Sequence, residues 1–248
     1  MLSASMLLVM ALMVVGLVGL TVYLKLCYKI SLALLGSGAL AFLVTTQFFE
    51  RVLHLLVLRP DAMGSSYLLR DFPWLYVIYA VLAAAIFEEG ARYVVLRLVQ
   101  RKRQLEFKDA LAYGLGHGGI EMIVVGLLSL VNLFLLYQAV VQNQTQVLSL
   151  LPEATVTSIR NTPIWSPYVL LVERFLALAS QIMLTIWVWK ALVTKNMRLF
   201  LVALGFHTLI DLAPAMNQVG WISSPLLVEG LVLIAVLVVG YFTRKLLK

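Results

Sequence analysis

The sequence predicts an all-α membrane protein, built as a polytopic bundle of about seven transmembrane helices. Hydrophobic residues make up 62% of the 248 residues and charged residues only 12%, which is about half the charged fraction of an ordinary soluble domain. The mean hydropathy is +0.97, and the apolar runs reach the roughly 20 residues that a helix needs to cross the hydrocarbon core. A soluble surface cannot be built from this composition.

Seven apolar runs predict the spans, which we number 1 to 7 in chain order. The runs are continuous, so they favour helices over the alternating strands of a membrane barrel. The first run lacks a preceding basic stretch, and we therefore expect it to remain as a helix and not to be cleaved as a signal peptide. Because no repeat or soluble domain interrupts the pattern, residues 1–248 are predicted to form a single integral-membrane domain. The predicted spans are about 5–25, 31–56, 73–98, 109–138, 167–191, 197–215 and 222–243.

Lysine and arginine placement predicts how the chain is oriented in the cell membrane. The connections after spans 1, 3 and 5 and the C-terminus are rich in these residues, and the cluster at 101–103 is the clearest case. The connections at about 57–72 and 142–166 are poorer in them. We therefore expect the N-terminus outside and the C-terminus in the cytoplasm. The net charge of +7 is then a topology signal beside membrane lipid, and no nucleic-acid partner is expected.

Ionisable residues within the predicted spans are the main functional signal. A charged side chain at the middle of a bilayer costs about 2.5–3.5 kcal/mol on insertion scales, so such residues face inward, form pairs or bind something. Intramembrane ionisable residues are therefore functional candidates. The carboxylates and histidines well inside the predicted spans are Glu50, His54, Glu88, Glu89, His117, Glu121, Glu173, His207, Asp211 and Glu229.

Two of the histidines have a carboxylate on the same helix face. His117 and Glu121 are four residues apart in span 4, and His207 and Asp211 are four apart in span 6, so each imidazole points the same way as its carboxylate. Glycines crowd around His117 in "GLGHGG". They allow neighbouring helices to approach closely, and they can also leave room for water or substrate.

Span 3 carries the segment "AIFEEGARYVV", in which Arg92 can reach either Glu88 or Glu89. Because two glutamates face one arginine, one negative charge remains unpaired. This favours a functional role over a purely structural ion pair. At about 1.5 Å per residue, Glu88, His117 and His207 fall near one level, from mid-membrane toward the cytoplasmic side. We therefore expect three helices to form one site.

Two imidazoles and several carboxylates on converging helices suit a divalent metal, with zinc as the leading hypothesis. A catalytic zinc site commonly has three N or O protein ligands and a water. The single Cys27 excludes a cysteine-based metal site. The expected ligands are therefore His117, His207 and one of Glu121 and Asp211.

Glu88 or Glu89 would then take the proton of the attacking water, while Arg92 keeps one of the two glutamates ionised. In a metal-free version, the histidines would stabilise the oxyanion and a glutamate would activate water. Other intramembrane hydrolase patterns are poorly supported, because the sequence has neither G-x-S-x-G nor H-E-x-x-H, and only Asp211 is an aspartate well inside a span. The alternative is a non-catalytic scaffold, or an ion or proton transporter, with the same polar core.

The other polar residues of the spans are expected to be structural. His54 near the outer end of span 2 is predicted to lie at the interface and not to act as a ligand, and Glu173 is predicted to pair with Arg174. Gln181 is interpreted as a hydrogen-bonding residue between helices. Glu229 has no evident partner in the sequence and is assigned to a second polar cluster on the outer side.

Three motifs stand on separate helices: "EEGAR" in span 3, "GHGGIE" in span 4 and "FHTLID" in span 6. They resemble the YhfC family of intramembrane metalloproteases and, more distantly, the CAAX-prenyl protease and bacteriocin-processing superfamily and the APH-1 scaffold of gamma-secretase. The resemblance implies a general base at Glu88 or Glu89, with His117, His207 and Asp211 around the metal or oxyanion. It implies an endopeptidase that acts on membrane-embedded or lipid-anchored peptides. The arginine of "EEGAR" lies one residue closer to the glutamates than in the CAAX-type motif, so the base stays open between the two glutamates.

Overall fold

The computed structural model describes residues 1–61 and 65–248, and within these ranges every regular element is a helix. Seven of the described helices are long and apolar enough to cross a membrane, so the predicted all-α, multi-pass fold is confirmed. We keep the numbers 1 to 7 for the spans as the structure has them. They are Leu2–Tyr28, Leu32–Val57, Pro73–Gln100, Phe107–Val141, Ser166–Thr194, Met197–Gln218 and Pro225–Leu246.

Local sequence explains where several spans begin. The side chains of Ser31 and Ser224 cap spans 2 and 7 by accepting a backbone N–H of the first turn, as N-cap serines do. Span 4 begins with a capping box between Glu106 and Asp109. Arg103 donates to both oxygens of Asp109 at 2.6 and 2.7 Å, and this pair fixes the short connection between spans 3 and 4.

Successive spans run in opposite directions, so the ends of spans 1, 3, 5 and 7 lie on one side of the bundle. We call it the basic side, because the basic connections lie there, and we call the other side the far side. The far-side connections contain the short helices Tyr67–Asp71, Thr145–Leu148 and Glu153–Arg160. The polar segment expected at about 142–166 is therefore partly helical, and its Ile159 is buried.

Two spans contain a π-helical turn, and each turn adjoins a glutamate. In span 2 the turn covers Thr45–Glu50 and ends at the buried Glu50. In span 4 it covers Met122–Leu127 and follows directly after Glu121. Span 6 remains one helix although it contains Pro214. Such interruptions of the regular hydrogen-bond ladder are frequent at functional sites.

The first half of span 4 lies at the centre of the bundle. It packs against spans 2 and 5, and all its residues from Asp109 to Gly119 are buried. A β-carbon on Gly116 would overlap the backbone of Leu35 in span 2, and one on Gly114 would press on the backbone of span 5. These glycines are packing residues, and the close helix approach that they permit encloses His117 completely.

Candidate active site

Three side chains of span 3 are buried inside the bundle. Glu89 and Arg92 are fully buried, and Glu88 is 7% exposed. Arg92 donates from Nη1 to Glu89 Oε1 at 2.5 Å, whereas its Nη2 lies 3.9 Å from Glu88 Oε2. The arginine therefore pairs mainly with Glu89, a choice that the sequence leaves open.

The two buried histidines contact different members of the glutamate pair. His117 Nε2 lies 2.9 Å from Glu88 Oε2, and His207 Nδ1 lies 2.8 Å from Glu89 Oε1. His207 Nε2 faces Asp211 Oδ2 at 3.2 Å and Glu88 Oε2 at 3.7 Å. Both imidazole Nε2 atoms therefore converge on the same oxygen of Glu88.

Gln181 of span 5 lies at the centre of this cluster. Its Nε2 donates to Glu88 Oε2 at 2.9 Å and to Glu121 Oε2 at 2.7 Å, while its Oε1 accepts from Arg92 Nη2. Its predicted hydrogen bonding between helices is present, but sequence reasoning missed that it belongs to the site. A neutral amide carries no signal of titration or metal binding, and an isolated polar residue in an apolar span was the one signal available.

Spans 3, 4 and 6 thus bring all the predicted site residues into one cluster, held together by Gln181 of span 5. Which of them are catalytic and which bind metal remains a prediction. We call this the core cluster, and its members are Glu88, Glu89, Arg92, His117, Glu121, Gln181, His207 and Asp211.

His54 does not join the core cluster. Its Nε2 lies 3.4 Å from Glu50 Oε1 and its Nδ1 lies 2.8 Å from the hydroxyl of Tyr79. Its side chain is 37% exposed, whereas His117 is fully buried. The third histidine therefore forms a separate polar group nearer the far side.

A further ion pair connects span 5 to the core cluster. Arg174 donates to Glu173, as predicted, and its Nη1 also lies 3.5 Å from Glu121 Oε1. Glu229 of span 7 is close enough to both residues of the pair for electrostatic interaction. Glu121, Glu173 and Arg174 border a small cavity of about 70 Å³, which also reaches Gln181 and residues of span 6. The cavity has room for a few water molecules beside the core cluster.

The donor set fits a divalent metal ion. One ligand atom each from Glu88, His117 and Glu121 lies within 4.8 Å of the others, which is close enough for one ion to be held among them. Imidazole and carboxylate groups are the usual ligands of zinc and suit other divalent metals. The close set includes Glu88, which the sequence predicts as a candidate base, whereas the predicted ligands His207 and Asp211 lie beyond it on span 6.

The charge of the region also fits a cation. Two guanidinium groups face a larger number of carboxylates, so the ionised cluster would hold excess negative charge in a medium that penalises it. A divalent cation would offset most of that excess. The groups are Arg92 and Arg174 against Glu88, Glu89, Glu121, Glu173 and Asp211.

Comparison with known proteins identifies the family of the chain. The family described as YhfC intramembrane metalloprotease matches residues 9–232 of the chain. The "Uncharacterized membrane protein YhfC" of Bacillus subtilis (strain 168) is 32% identical over 236 residues, which cover 92% of this chain and 90% of that protein. The matched region contains the whole core cluster. The chain therefore belongs to the YhfC intramembrane metalloprotease family.

Proposed function

We propose that this protein is a metal-dependent intramembrane endopeptidase in which Glu88 accepts the proton of the attacking water. The observation that carries the proposal is the convergence of both histidine Nε2 atoms on one Glu88 oxygen. Within the glutamate pair, 10% of the Glu88 side chain is exposed, whereas that of Glu89 is fully enclosed. Glu88 is therefore the better placed of the two to touch a water molecule.

Glu89 acts in this proposal by positioning its neighbours. Its Oε1 accepts from Arg92 and lies at hydrogen-bond distance from His207 Nδ1. A proton held on Nδ1 leaves the Nε2 lone pair free to bind a metal. Carboxylates placed behind metal-binding histidines in this way fix the tautomer and the ring orientation.

The residues that would hold the ion are His117, His207 and one of Glu121 and Asp211, which leaves a position for water, and zinc is the preferred metal. When bound, such an ion polarises the substrate carbonyl and makes a nearby water more acidic. Glu88 takes the proton of that water while the water oxygen bonds to the carbonyl carbon. Glu88 then gives the proton to the amine nitrogen as the peptide C–N bond breaks.

We assign an apolar peptide segment as the substrate, entering from the membrane between spans 5 and 7. A groove of about 480 Å³ lies there and is lined almost entirely by apolar side chains. The next residues along both helices border the inner cavity beside the core cluster. The groove is bordered by Trp165, Tyr168, Val169, Val172, Leu226 and Glu229, and the inner residues that follow are Glu173, Arg174 and Val232.

Elemental analysis of detergent-purified protein tests the metal. We expect near-stoichiometric zinc in the wild type and its loss in His117→Ala and in His207→Ala. The matched control is His54→Ala, which removes the histidine outside the core cluster and should keep the zinc. Circular dichroism of each variant checks that the helices persist.

Wild-type protein that is well folded and holds no metal, even after zinc is supplied, would contradict the metal-dependent proposal. The choice would then lie between metal-free hydrolysis by glutamate and histidine and a scaffold or transport role. Proteoliposomes that contain a pool of synthetic single-span peptides separate these two, because mass spectrometry detects cleaved products only from the hydrolase.

A further inference from the structure

A second and more polar cavity, of about 290 Å³, lies between spans 2, 3 and 6 on the far side of the core cluster. We call it the vestibule. Its polar walls come from three helices that face each other across it. The polar residues that line it are Glu50, His54, Tyr76, Tyr79, Asp211 and Gln218.

The polar groups of the vestibule are paired with each other across helices. His54 of span 2 lies 2.8 Å from the Tyr79 hydroxyl of span 3, and Tyr76 of span 3 donates to Gln218 of span 6 at 2.8 Å. In span 2, the π-turn leaves Phe48 and Phe49 exposed on the outer surface and Glu50 buried. Polar side chains of this kind would cost free energy if they faced lipid tails, but they are favourable where they face water.

Asp211 links the vestibule to the core cluster. It borders both the vestibule and the 70 Å³ inner cavity, as does Pro214. It lies about seven residues before the end of span 6, roughly 10 Å below that end, yet its side chain is 34% exposed. A carboxylate exposed to hydrocarbon at that depth would cost several kcal/mol, so its exposed surface must face water.

Pro214 adds a further hydrogen-bonding group at the same place. Proline has no backbone N–H, so the carbonyl of Ile210, four residues earlier, lacks its usual helical partner. Ile210 borders the inner cavity. Ile210, Asp211 and His207 therefore all line the inner cavity, and Asp211 also lines the vestibule.

We propose that the vestibule is a water-filled entrance through which water and a divalent cation reach the core cluster, with Asp211 at the junction. The carboxylates of Glu50 and Asp211 would raise the local concentration of cations, and no lysine or arginine occurs among the described residues that line the cavity. Only the destination of the cation rests on the proposed function. The apolar substrate and the polar reactants would thus enter by separate routes.

Thiol labelling tests the water-filled entrance without any need for activity. In a Cys27→Ser background, Ala84→Cys places a thiol in the vestibule, and Ala91→Cys places one on the same helix in the apolar groove between spans 2 and 3. The probe is a membrane-impermeant methanethiosulfonate with a fixed positive charge, applied in proteoliposomes. We expect Ala84→Cys to react at least about tenfold faster, because the reagent is soluble in water and attracted by the carboxylates.

Equal reaction rates at the two positions would overturn the proposal. Ala80→Cys, which also lines the vestibule, provides a second position if the first variant does not fold. Labelling needs neither metal nor substrate. Rapid labelling in a protein without zinc would therefore support the water-filled entrance while the proposed metal-dependent function fails. Zinc binding without rapid labelling would support the metal site while the water-filled entrance fails.

The rate of zinc loading tests the cation route. Glu50→Gln removes a vestibule carboxylate, and Glu153→Gln removes an exposed carboxylate from a far-side connection as the matched control. We expect Glu50→Gln to slow zinc uptake severalfold with the final zinc content unchanged, and Glu153→Gln to load at the wild-type rate. Wild-type loading in Glu50→Gln would refute a cation route through the vestibule.

Discussion

The core cluster and the vestibule both contain histidine, carboxylate and glutamine side chains, yet the two environments differ. Each contains a histidine four residues from a carboxylate on its own helix. In the vestibule, His54 keeps its local partner Glu50 at 3.4 Å and is 37% exposed. In the core cluster, His117 is fully buried and bonds to Glu88 of another helix at 2.9 Å.

The difference teaches that spacing along one helix does not decide whether a histidine belongs to an active site. The deciding feature is how many helices deliver polar groups to the same point. Four spans supply the core cluster, and the glycines of span 4 allow them to approach closely enough to exclude bulk solvent. In that low-dielectric surrounding each charge–charge contact is stronger than in the wetter vestibule.

The largest expected contrast concerns turnover. Glu88→Gln should reduce cleavage of single-span peptides in proteoliposomes by about 10²–10⁴-fold, as expected for removal of a general base. Glu50→Gln should leave the rate at saturating zinc within about a factor of three, because it removes no group that touches the substrate. Retention of zinc by Glu88→Gln would support a base, whereas loss of zinc would identify Glu88 as a ligand.

Stability should distinguish the buried arginine from an exposed one. Arg92→Met removes the guanidinium that pairs with Glu89 in the core, which should lower the free energy of unfolding by about 3–5 kcal/mol. Arg70→Met breaks only the exposed pair with Asp71 and should cost less than about 1 kcal/mol. Unfolding in mixed detergent and SDS micelles measures both values, and equal losses would contradict the burial contrast.

Metal affinity should reveal the positioning role of Glu89. Glu89→Gln removes the carboxylate behind His207, and zinc affinity should fall by about 10–100-fold. Competition with a chelator of known affinity measures this change. An unchanged affinity would show that Glu89 does not orient a metal-binding histidine.

A glycine pair tests the packing that encloses His117. Gly116→Ala would force its new methyl group into the backbone of span 2 and should cost about 1–3 kcal/mol of unfolding free energy. Gly90→Ala has no heavy atom within 4 Å of the added carbon and should be neutral or slightly stabilising. A similar cost at both positions would show that close approach of the helices is not what encloses the site.

Apart from the controls, the smallest expected effect on stability is that of a substitution in the vestibule. Tyr79→Phe removes the bond to His54 and should change the unfolding free energy by about 0.5–1.5 kcal/mol. Because that bond lies in a wet cavity, water can replace it, and peptide cleavage should stay at the wild-type rate. Loss of cleavage in this variant would mean that the vestibule takes part in the chemistry.

The all-α class and the seven spans could be predicted from the sequence, because span length is set by the bilayer and not by tertiary detail. The ionisable members of the core cluster were also predictable, since a residue such as Glu88 has few tolerable positions in a membrane other than an inward-facing one. The sequence could not predict which side chains of different helices bond to each other. One-turn spacing predicts that His117 and Glu121 share a helix face, and their ligand atoms do lie within 4.8 Å of each other, but the hydrogen bond of His117 Nε2 is to Glu88 of span 3.

The role of Gln181 could not be predicted from the sequence for the same reason. Its contacts reach residues of spans 3 and 4, and no periodic pattern in span 5 reports which residues of distant helices it will meet. Likewise, no local sequence pattern predicts the π-turn after Glu121. Both features depend on how whole helices are seated against each other.

That π-turn means that span 4 holds one more residue than a regular α-helix of the same path would need. Each residue of an α-helix turns the chain by about 100°. Without the π-turn, the extra residue would rotate Leu128–Val141 by roughly that angle relative to His117 and Glu121. The wide turn absorbs this residue, so a one-residue deletion within Met122–Leu127 should restore a regular helix and leave both halves of span 4 on their present faces.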